Sequence, residues 1–363
     1  MIDLRSDTIT RPCIGMRQAM ANAEMGDDCY GEDRTVKLLE EKCSEILQKE
    51  AALFMPTGTM SNQVAIKAHT KNGDEVFTHA RYHVYYYEAA PSSAFSGVHF
   101  GTISHDSGAV KPEDLSHLMQ AKPRGQLYAQ PTLLVLENSV CSLGGKAFTA
   151  SELTRTKKRA NDLGLRVHLD GARLLNACVS TGSKLKDFSQ ASNSVSICFA
   201  KGLGAPMGSV LCGTHEFIEK AKVYRKWFGG ALHQSGIIAA ACLFGLDEVG
   251  FTQIQKDHAN AQKVYQDLCR YFAKDTIEFH KSNMILVSCK KAGAQTHEVV
   301  RALKEIEILV LPWDGHSIRL VFHRGVEDKL IKGLGARLAK AIWLLSKRDF
   351  REKQHETTLQ VVG

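Results

Sequence analysis

Two predicted strand ends carry groups that could do chemistry together. Lys201 follows the apolar run 194–199 and precedes Gly202. The run predicts a buried strand, and a strand that delivers one lysine into a glycine-rich turn indicates a reactive amine. A second apolar run, 166–169, ends in the carboxylate of Asp170. Because open α/β sheets collect their chemistry at the carboxyl ends of strands, we expect both groups at one pocket. A surface lysine at a strand end is the alternative for Lys201 alone.

A third segment supplies a predicted phosphate cradle. Gly58 and Thr59 open a helical stretch directly after a short apolar run. A helix start offers free backbone N–H groups and the positive end of the helix dipole, although an ordinary turn and cap would have the same sequence. Asp170 could pair with a pyridine nitrogen and keep that ring protonated as an electron sink, or could simply cap a helix. Together with Lys201, these features predict pyridoxal 5'-phosphate (PLP) bound as a Schiff base.

His83 is the candidate for proton transfer, since it lies just past the predicted strand 75–79. A flat imidazole could stack on a cofactor ring and exchange protons beside it. The chain has 15 histidines, so a structural histidine is the alternative. No metal site is predicted, because the histidines of this region lack a ligand spacing typical of metal centres. They are His79, His83, His99 and His105.

Composition limits the function classes. The 363 residues are 44% hydrophobic, enough for a large and a smaller domain. No apolar run approaches the roughly 20 residues of a membrane helix, and no secretion signal is recognisable, so we expect a cytoplasmic protein. The ten cysteines include no Cys-x-x-Cys pair and are predicted to be buried thiols. The net charge of +7 is spread along the chain, which argues against nucleic acid as partner and suits small anionic ligands.

The order of predicted elements indicates an α/β protein. A helix over 35–48 precedes the short apolar run 51–55, and alternating apolar runs and amphipathic stretches follow, as in βα units around a mainly parallel sheet. The pattern changes after about residue 245. We predict a large domain over 1–245 that includes the N-terminal segment, a small α+β domain over 246–346, and a polar tail over 347–363. The small domain is predicted to contain strands at 284–288, 308–311 and 318–322 and a final helix over 330–345.

Six ordered stretches resemble one family, the L-threonine aldolases, which are PLP enzymes of the aspartate-aminotransferase fold type. The resemblance implies the fold-type I PLP-dependent transferase fold, with a mainly parallel seven-stranded sheet in the large domain and a small C-terminal α+β domain. The matching stretches span almost the whole chain: 3–10, 26–33, 56–62, 168–173, 201–209 and 318–321.

The resemblance assigns roles at the cofactor. Lys201 is implied to form the Schiff base, Asp170 to pair with the ring nitrogen, and His83 to stack on the ring. Gly58 and Thr59 are implied to form part of the phosphate cup.

The resemblance also assigns substrate and subunit contacts. Ser6, Arg173 and Arg319 are implied to hold the substrate carboxylate, a task that suits arginine because its fork binds carboxylates bidentately. Arg173 and His233 are also counted as cofactor contacts, His233 standing where an arginine near the phosphate is usual. Tyr30 is implied to reach the site of a neighbouring subunit in a homotetramer built as a dimer of dimers.

The implied reaction is cleavage of L-threonine, L-allo-threonine and other β-hydroxy-α-amino acids to glycine and an aldehyde. His83, directly or through water, is the candidate for the proton transfer. Departures from the family pattern keep a second hypothesis open: a PLP-dependent amino-acid racemase or β-eliminating lyase. A binding subunit without catalysis is a third hypothesis, disfavoured because the main site residues are retained. The departures are Leu127 or Tyr128 in place of a histidine, Val140 and Cys141 within 137–141, Ala200, His233 and the stretch 89–91.

Overall fold

A computed structural model of the chain describes residues 1–246 and 248–346, so the tail predicted over 347–363 lies outside the described residues. The chain divides into a unit formed by Thr10–Thr252 and a C-terminal unit that combines Met1–Ile9 with the residues from Gln253 onward. The sequence predicts that residues 1–9 belong to the large domain and that this domain ends at residue 245. The difference arises from a non-local pairing: strand β1 (Ile2–Asp3) pairs in parallel with Ile308–Leu309.

Seven strands of the Thr10–Thr252 unit form one sheet, in the order β2-β8-β7-β6-β5-β3-β4. Six of these seven strands run in one direction and β8 runs in the opposite direction, so the predicted mainly parallel seven-stranded sheet is confirmed. The central strands are continuous apolar runs, as expected when helices cover both faces; residues 133–136 are fully buried. The strands are β2 (Ala51–Met55), β3 (Glu75–His79), β4 (His99–Ile103), β5 (Pro131–Glu137), β6 (Arg166–Gly171), β7 (Ser194–Cys198) and β8 (Ser209–Gly213).

One helix of this unit shows the amphipathic pattern that the sequence predicts. In the predicted 35–48 segment the helix begins after Asp33, whose side chain accepts the Val36 N–H at 3.0 Å, and Val36, Leu39, Cys43 and Leu47 are buried. The helices up to residue 246 are α1 (Ile14–Ala21), α2 (Arg34–Leu47), α3 (Gly58–His69), α4 (His83–Tyr86), α5 (Ala89–Ser96), α6 (Pro112–Gln120), α7 (Ala150–Asp162), α8 (Leu174–Thr181), α9 (Leu185–Gln190), α10 (His215–Trp227) and α11 (Gly236–Leu246).

The C-terminal unit is built on a four-stranded antiparallel sheet in the order β12-β13-β10-β9. The predicted strand 308–311 is divided, because its first part pairs with β1 and its second part with β13. The predicted helix 330–345 is interrupted at Gly333, whose φ of 71° is left-handed. The elements are α12 (Glu248–Leu268), β9 (Ile277–Glu278), β10 (Met284–Ser288), α13 (Thr296–Glu305), β11 (Ile308–Leu309), β12 (Leu311–Trp313), β13 (Ser317–Val321), α14 (Asp328–Ile331) and α15 (334–346).

Within the described ranges, no single helix has the length and apolar character needed to cross a membrane. Only α11 taken together with Gly250–Leu268 would meet that test, and the two are bent by 60° relative to each other.

Candidate active site

Neighbouring strands present their functional groups at one edge of the large sheet. Glu137, the last residue of β5, pairs in register with Asp170 of β6, and Asp170 pairs with Ser196 of β7. Lys201 follows the end of β7, and His83 begins α4 just after β3. Because β3, β5, β6 and β7 are parallel, all four strands end at the same carboxyl edge, where open α/β sheets bind ligands. The edge therefore holds the predicted amine, carboxylate and imidazole.

Asp170 is a buried carboxylate with capacity for one more donor. It is 2% exposed, and its Oδ2 accepts the Asn62 Nδ2–H at 2.8 Å while Oδ1 accepts the Ala172 N–H at 3.0 Å. An ionised carboxylate offers about four lone-pair sites, so two donors leave acceptor sites for another N–H group. A protonated pyridine nitrogen is a donor of the required kind, and the residue fits the predicted partner of PLP.

His83 is held by acidic groups on two sides. Its Nδ1 lies 2.6 Å from Oε1 of Glu88, and its backbone N–H donates to Oε2 of Glu137 at 2.6 Å. Burial alone would lower the pKa of His83, but the hydrogen bond to Glu88 and the charges of Asp170, Glu88 and Glu137 outweigh burial and raise it. About a third of the side chain, 34%, stays exposed and accessible to a ligand. His83 therefore combines a fixed orientation with an enhanced affinity for a proton.

Glu137 and Glu88 are buried carboxylates that the sequence did not single out. Burial and the charge of Asp170 raise the pKa of Glu137 to about 7, although its Oε1 accepts the Cys141 N–H at 2.9 Å. Glu88 accepts donors from α3: Nε2 of Gln63 at 2.8 Å and Nδ2 of Asn62 at 3.3 Å. The only sequence signal was the position of Glu88 five residues after His83, since its partners on α3 are distant in the chain.

The start of α3 has the features of an anion cradle. The Thr57 side chain accepts the Met60 N–H at 3.1 Å, and the Thr57 carbonyl accepts the Ser61 N–H at 3.1 Å. The N–H groups of Gly58 and Thr59 have no acceptor among the residues the structure describes. Unsatisfied N–H groups and the positive end of a 12-residue helix together favour a phosphate. The cradle fits the phosphate end of PLP.

The chain around Lys201 is fixed by its backbone. The Lys201 carbonyl accepts the Thr10 Oγ1–H at 2.7 Å and the Gly204 N–H at 2.9 Å. Gly204 adopts a φ of 82°, a left-handed conformation that closes this turn after β7. Lys201 itself is only partly exposed. The turn therefore fixes the backbone position of Lys201 at the sheet edge.

The three predicted carboxylate-binding residues belong to different units. Arg173 follows β6 in the Thr10–Thr252 unit and is 7% exposed. In the C-terminal unit, Arg319 is buried, its guanidinium lies 4.1 Å from the Trp313 ring centroid, and its Nη2 donates to the Arg5 carbonyl at 3.3 Å. This contact brings Arg319 beside Ser6, the next residue in the chain. Ser6 and Arg319 therefore belong to the same unit, and their role in binding the substrate carboxylate stays a prediction.

His233 and Tyr30 lie at the surface of the protein. The His233 side chain is 73% exposed, and its Nδ1 is 2.8 Å from Oδ2 of Asp27. Ligand atoms of Asp27, Cys29 and His233 lie within 4.8 Å of one another, a grouping that the sequence did not indicate. Tyr30 is 79% exposed. The cofactor role of His233 and the intersubunit role of Tyr30 stay predictions.

The chain is similar to known proteins along most of its length. A family model described as "Beta-eliminating lyase" matches residues 3–290. The chain is 37% identical over 333 residues to an Arabidopsis thaliana protein named probable low-specificity L-threonine aldolase 2, covering 90% of this chain and 93% of the relative. It is 35% identical over 336 residues to the low specificity L-threonine aldolase of Escherichia coli strain K12, covering 93% and 98%. The structure of a Leishmania major threonine aldolase superposes with a TM-score of 0.81 at 18% identity, covering 94% and 100%.

Proposed function

We propose that this chain is a PLP-dependent lyase. It belongs to the L-threonine aldolase family, and the beta-eliminating lyase model matches most of its length. Its substrates are L-threonine, L-allo-threonine and other β-hydroxy-α-amino acids, which it cleaves to glycine and an aldehyde. The observation that carries the proposal is the pairing of Asp170 on β6 with β7, the strand that leads to Lys201. Racemase or β-elimination chemistry is not favoured, because the full-length relatives are named threonine aldolases.

Residues of one sheet edge and one helix start would hold the cofactor. Lys201 would supply the amine for the PLP aldehyde, Asp170 would accept the ring N–H, and Gly58 and Thr59 would donate backbone N–H groups to the phosphate. His83 would stack on the ring. When bound, PLP supplies a protonated ring that accepts the electrons of the Cα–Cβ bond.

His83 takes the proton of the substrate hydroxyl. Oε1 of Glu88 accepts a hydrogen bond from Nδ1 of His83, so the neutral imidazole keeps its hydrogen on Nδ1 and presents a lone pair at Nε2. That lone pair accepts the hydroxyl proton directly or through one water. The partly exposed imidazole can then return the proton. Glu88 thus fixes the ring in the tautomer that a base requires.

Substrate orientation depends on arginine. Arg173, buried directly after the strand that carries Asp170, binds the substrate carboxylate and so fixes the direction of the Cα–Cβ bond. Ser6 and Arg319 keep the carboxylate-binding role that the family resemblance gives them. We further propose a cytoplasmic homotetramer, a dimer of dimers, in which Tyr30 reaches a neighbouring subunit's site.

The experiment is a product analysis. The purified protein is loaded with PLP and incubated separately with L-threonine, L-allo-threonine, L-serine and L-alanine. We expect glycine and acetaldehyde from both threonine diastereomers. D-alanine from L-alanine, or pyruvate from L-serine, without glycine from either threonine would overturn the proposal in favour of the racemase or β-elimination alternative.

A further inference from the structure

A continuous chain of hydrogen bonds, buried except at its His69 end, leads to Asp170. It begins at the C-terminal end of α3 and crosses β7 and β6 before returning to α3. The links are His69 Nε2 to Ser194 Oγ at 2.8 Å, Ser194 Oγ to His168 Nδ1 at 2.9 Å, His168 Nε2 to Asn62 Oδ1 at 3.3 Å, and Asn62 Nδ2 to Asp170 Oδ2 at 2.8 Å. We call these five side chains the Asp170 relay.

The Asn62 amide fixes the direction of the inner half of the relay. Its Nδ2 group faces two carboxylates, Asp170 at 2.8 Å and Glu88 at 3.3 Å, and ionised carboxylates can only accept. The amide oxygen therefore faces Nε2 of His168 and the Ser196 hydroxyl. Since this oxygen cannot donate, His168 must carry a hydrogen on Nε2.

The outer half then has one consistent arrangement. His168 is fully buried, and burial lowers its pKa to about 4 although the charge of Asp170 opposes this, so the ring is neutral at pH 7. With its hydrogen on Nε2, the ring accepts the Ser194 hydroxyl hydrogen at Nδ1. The Ser194 oxygen must then accept from Nε2–H of His69. Every hydrogen of the relay points toward Asp170.

Only His168 must be neutral for this arrangement, but the surroundings of His69 keep that ring neutral as well. Burial, followed by the neighbouring His168 and the cations Arg166 and Lys220, lowers the pKa of His69 well below its ordinary value. His69 stacks on Phe217 with ring centroids 4.3 Å apart. It also lines a cavity of about 550 Å³ that includes Arg166 and Lys220.

We propose that the Asp170 relay is a positioning device, in which His69, Ser194, His168 and Asn62 orient the Asp170 carboxylate for the ring nitrogen of PLP. Hydrogen bonds aligned in one direction polarise one another, so outer members act on Asp170 without touching it. Glu137 pairs with Asp170 in the sheet, and the charge of Asp170 helps to raise the pKa of Glu137. The proposal rests on the proposed cofactor, but the relay's hydrogen positions can be measured without it.

The test compares two serines of the same strand. Ser194 and Ser196 are both buried on β7 and point to the same face of the sheet, but only Ser194 is a relay member. Ser196 Oγ lies 3.4 Å from Asn62 Oδ1 and does not link two members of the relay. The full-length protein is labelled with ¹⁵N-histidine, and NMR spectra are recorded with and without PLP. We expect His168 to be protonated at Nε2 in wild type and Ser196→Ala, and to show mixed tautomers in Ser194→Ala. PLP affinity should fall roughly three- to tenfold in Ser194→Ala and less than twofold in Ser196→Ala.

Protonation of His168 at Nδ1 in the wild type would overturn the relay, as would a Ser194→Ala protein that binds PLP as tightly as wild type. If Ser194→Ala does not fold, His69→Leu and His69→Gln take its place. The glutamine keeps an N–H donor for Ser194 and should restore the PLP affinity that leucine loses, and equal affinities for the two would refute the relay. A wild type that binds no PLP refutes the proposed function, while the histidine spectra still decide on the relay.

Discussion

The end of β6 has no space for a side chain at Gly171, and this gives a quantitative prediction. A Cβ added there would lie 2.3 Å from the Ser196 carbonyl oxygen and 3.2 Å from Cβ of Leu174. The first contact is with backbone, so no rotamer change can relieve it, and β6 must move away from β7. Overpacking of this kind costs about 1–3 kcal/mol. For a chain of 363 residues Tm falls by roughly 1.3 °C per kcal/mol, so Gly171→Ala should melt roughly 1–4 °C below wild type.

The same displacement reaches the site, because Gly171 follows Asp170 directly. Moving the strand end lengthens the 2.8 Å bond from Asn62 to Asp170, so PLP affinity should fall together with Tm. Thermal unfolding by circular dichroism and a PLP titration measure the two effects. Gly125→Ala is the matched control, since a Cβ there meets nothing within 4 Å, and it should change stability by less than about 0.5 kcal/mol. A Gly171→Ala protein that melts with wild type and binds PLP equally well would refute the reasoning.

Three further changes test the site. Lys201→Ala should remove the Schiff-base absorbance band of the PLP-loaded protein and its activity, whereas Lys186→Ala, at an exposed lysine of α9, should keep both. Glu88→Gln removes the carboxylate that raises the pKa of His83, so the acidic limb of kcat/KM should move to lower pH; an unmoved limb would exclude His83 as the base. Glu137 has a pKa of about 7 in the folded protein against an ordinary 4.5, so the folded state binds its proton more tightly than the unfolded chain. Stability without PLP should therefore decline as pH rises from about 4.5 to about 7, and Glu137→Gln should weaken that decline in denaturant titrations.

The parts of the fold that the sequence predicts are those written in local patterns. The run before Asp170 and the run before Lys201 are strands because they are short and apolar, and the capped amphipathic stretch after Asp33 is a helix. Gly333 was also a local signal for a helix interruption, and the prediction of a continuous helix over 330–345 overlooked it. Patterns of this kind locate an element and its buried face. They carry no information on its partner.

Pairing between distant segments explains what the sequence could not predict. The inclusion of residues 1–9 in the C-terminal unit depends on β1 joining β11, more than 300 residues away in the chain. The antiparallel direction of β8 depends on its two neighbours in the sheet. Likewise, Asn62 is an ordinary helix residue until folding places its amide between Asp170 and Glu88. Its role follows from hydrogen-bond geometry rather than from residue type.

The concentration of negative charge at the sheet edge connects this geometry with the proposed cofactor. Glu88, Glu137 and Asp170 are all buried, and the charge of Asp170 already helps to raise the pKa of Glu137. Buried carboxylates are unfavourable unless cations or N–H donors compensate them, and Asn62 and His83 supply only part of the donors needed. A protonated pyridine ring on Asp170 would add the missing positive charge. PLP binding should then favour ionised Glu137, so the same carboxylates that destabilise the cofactor-free protein at neutral pH make the site selective for a ring that carries a proton.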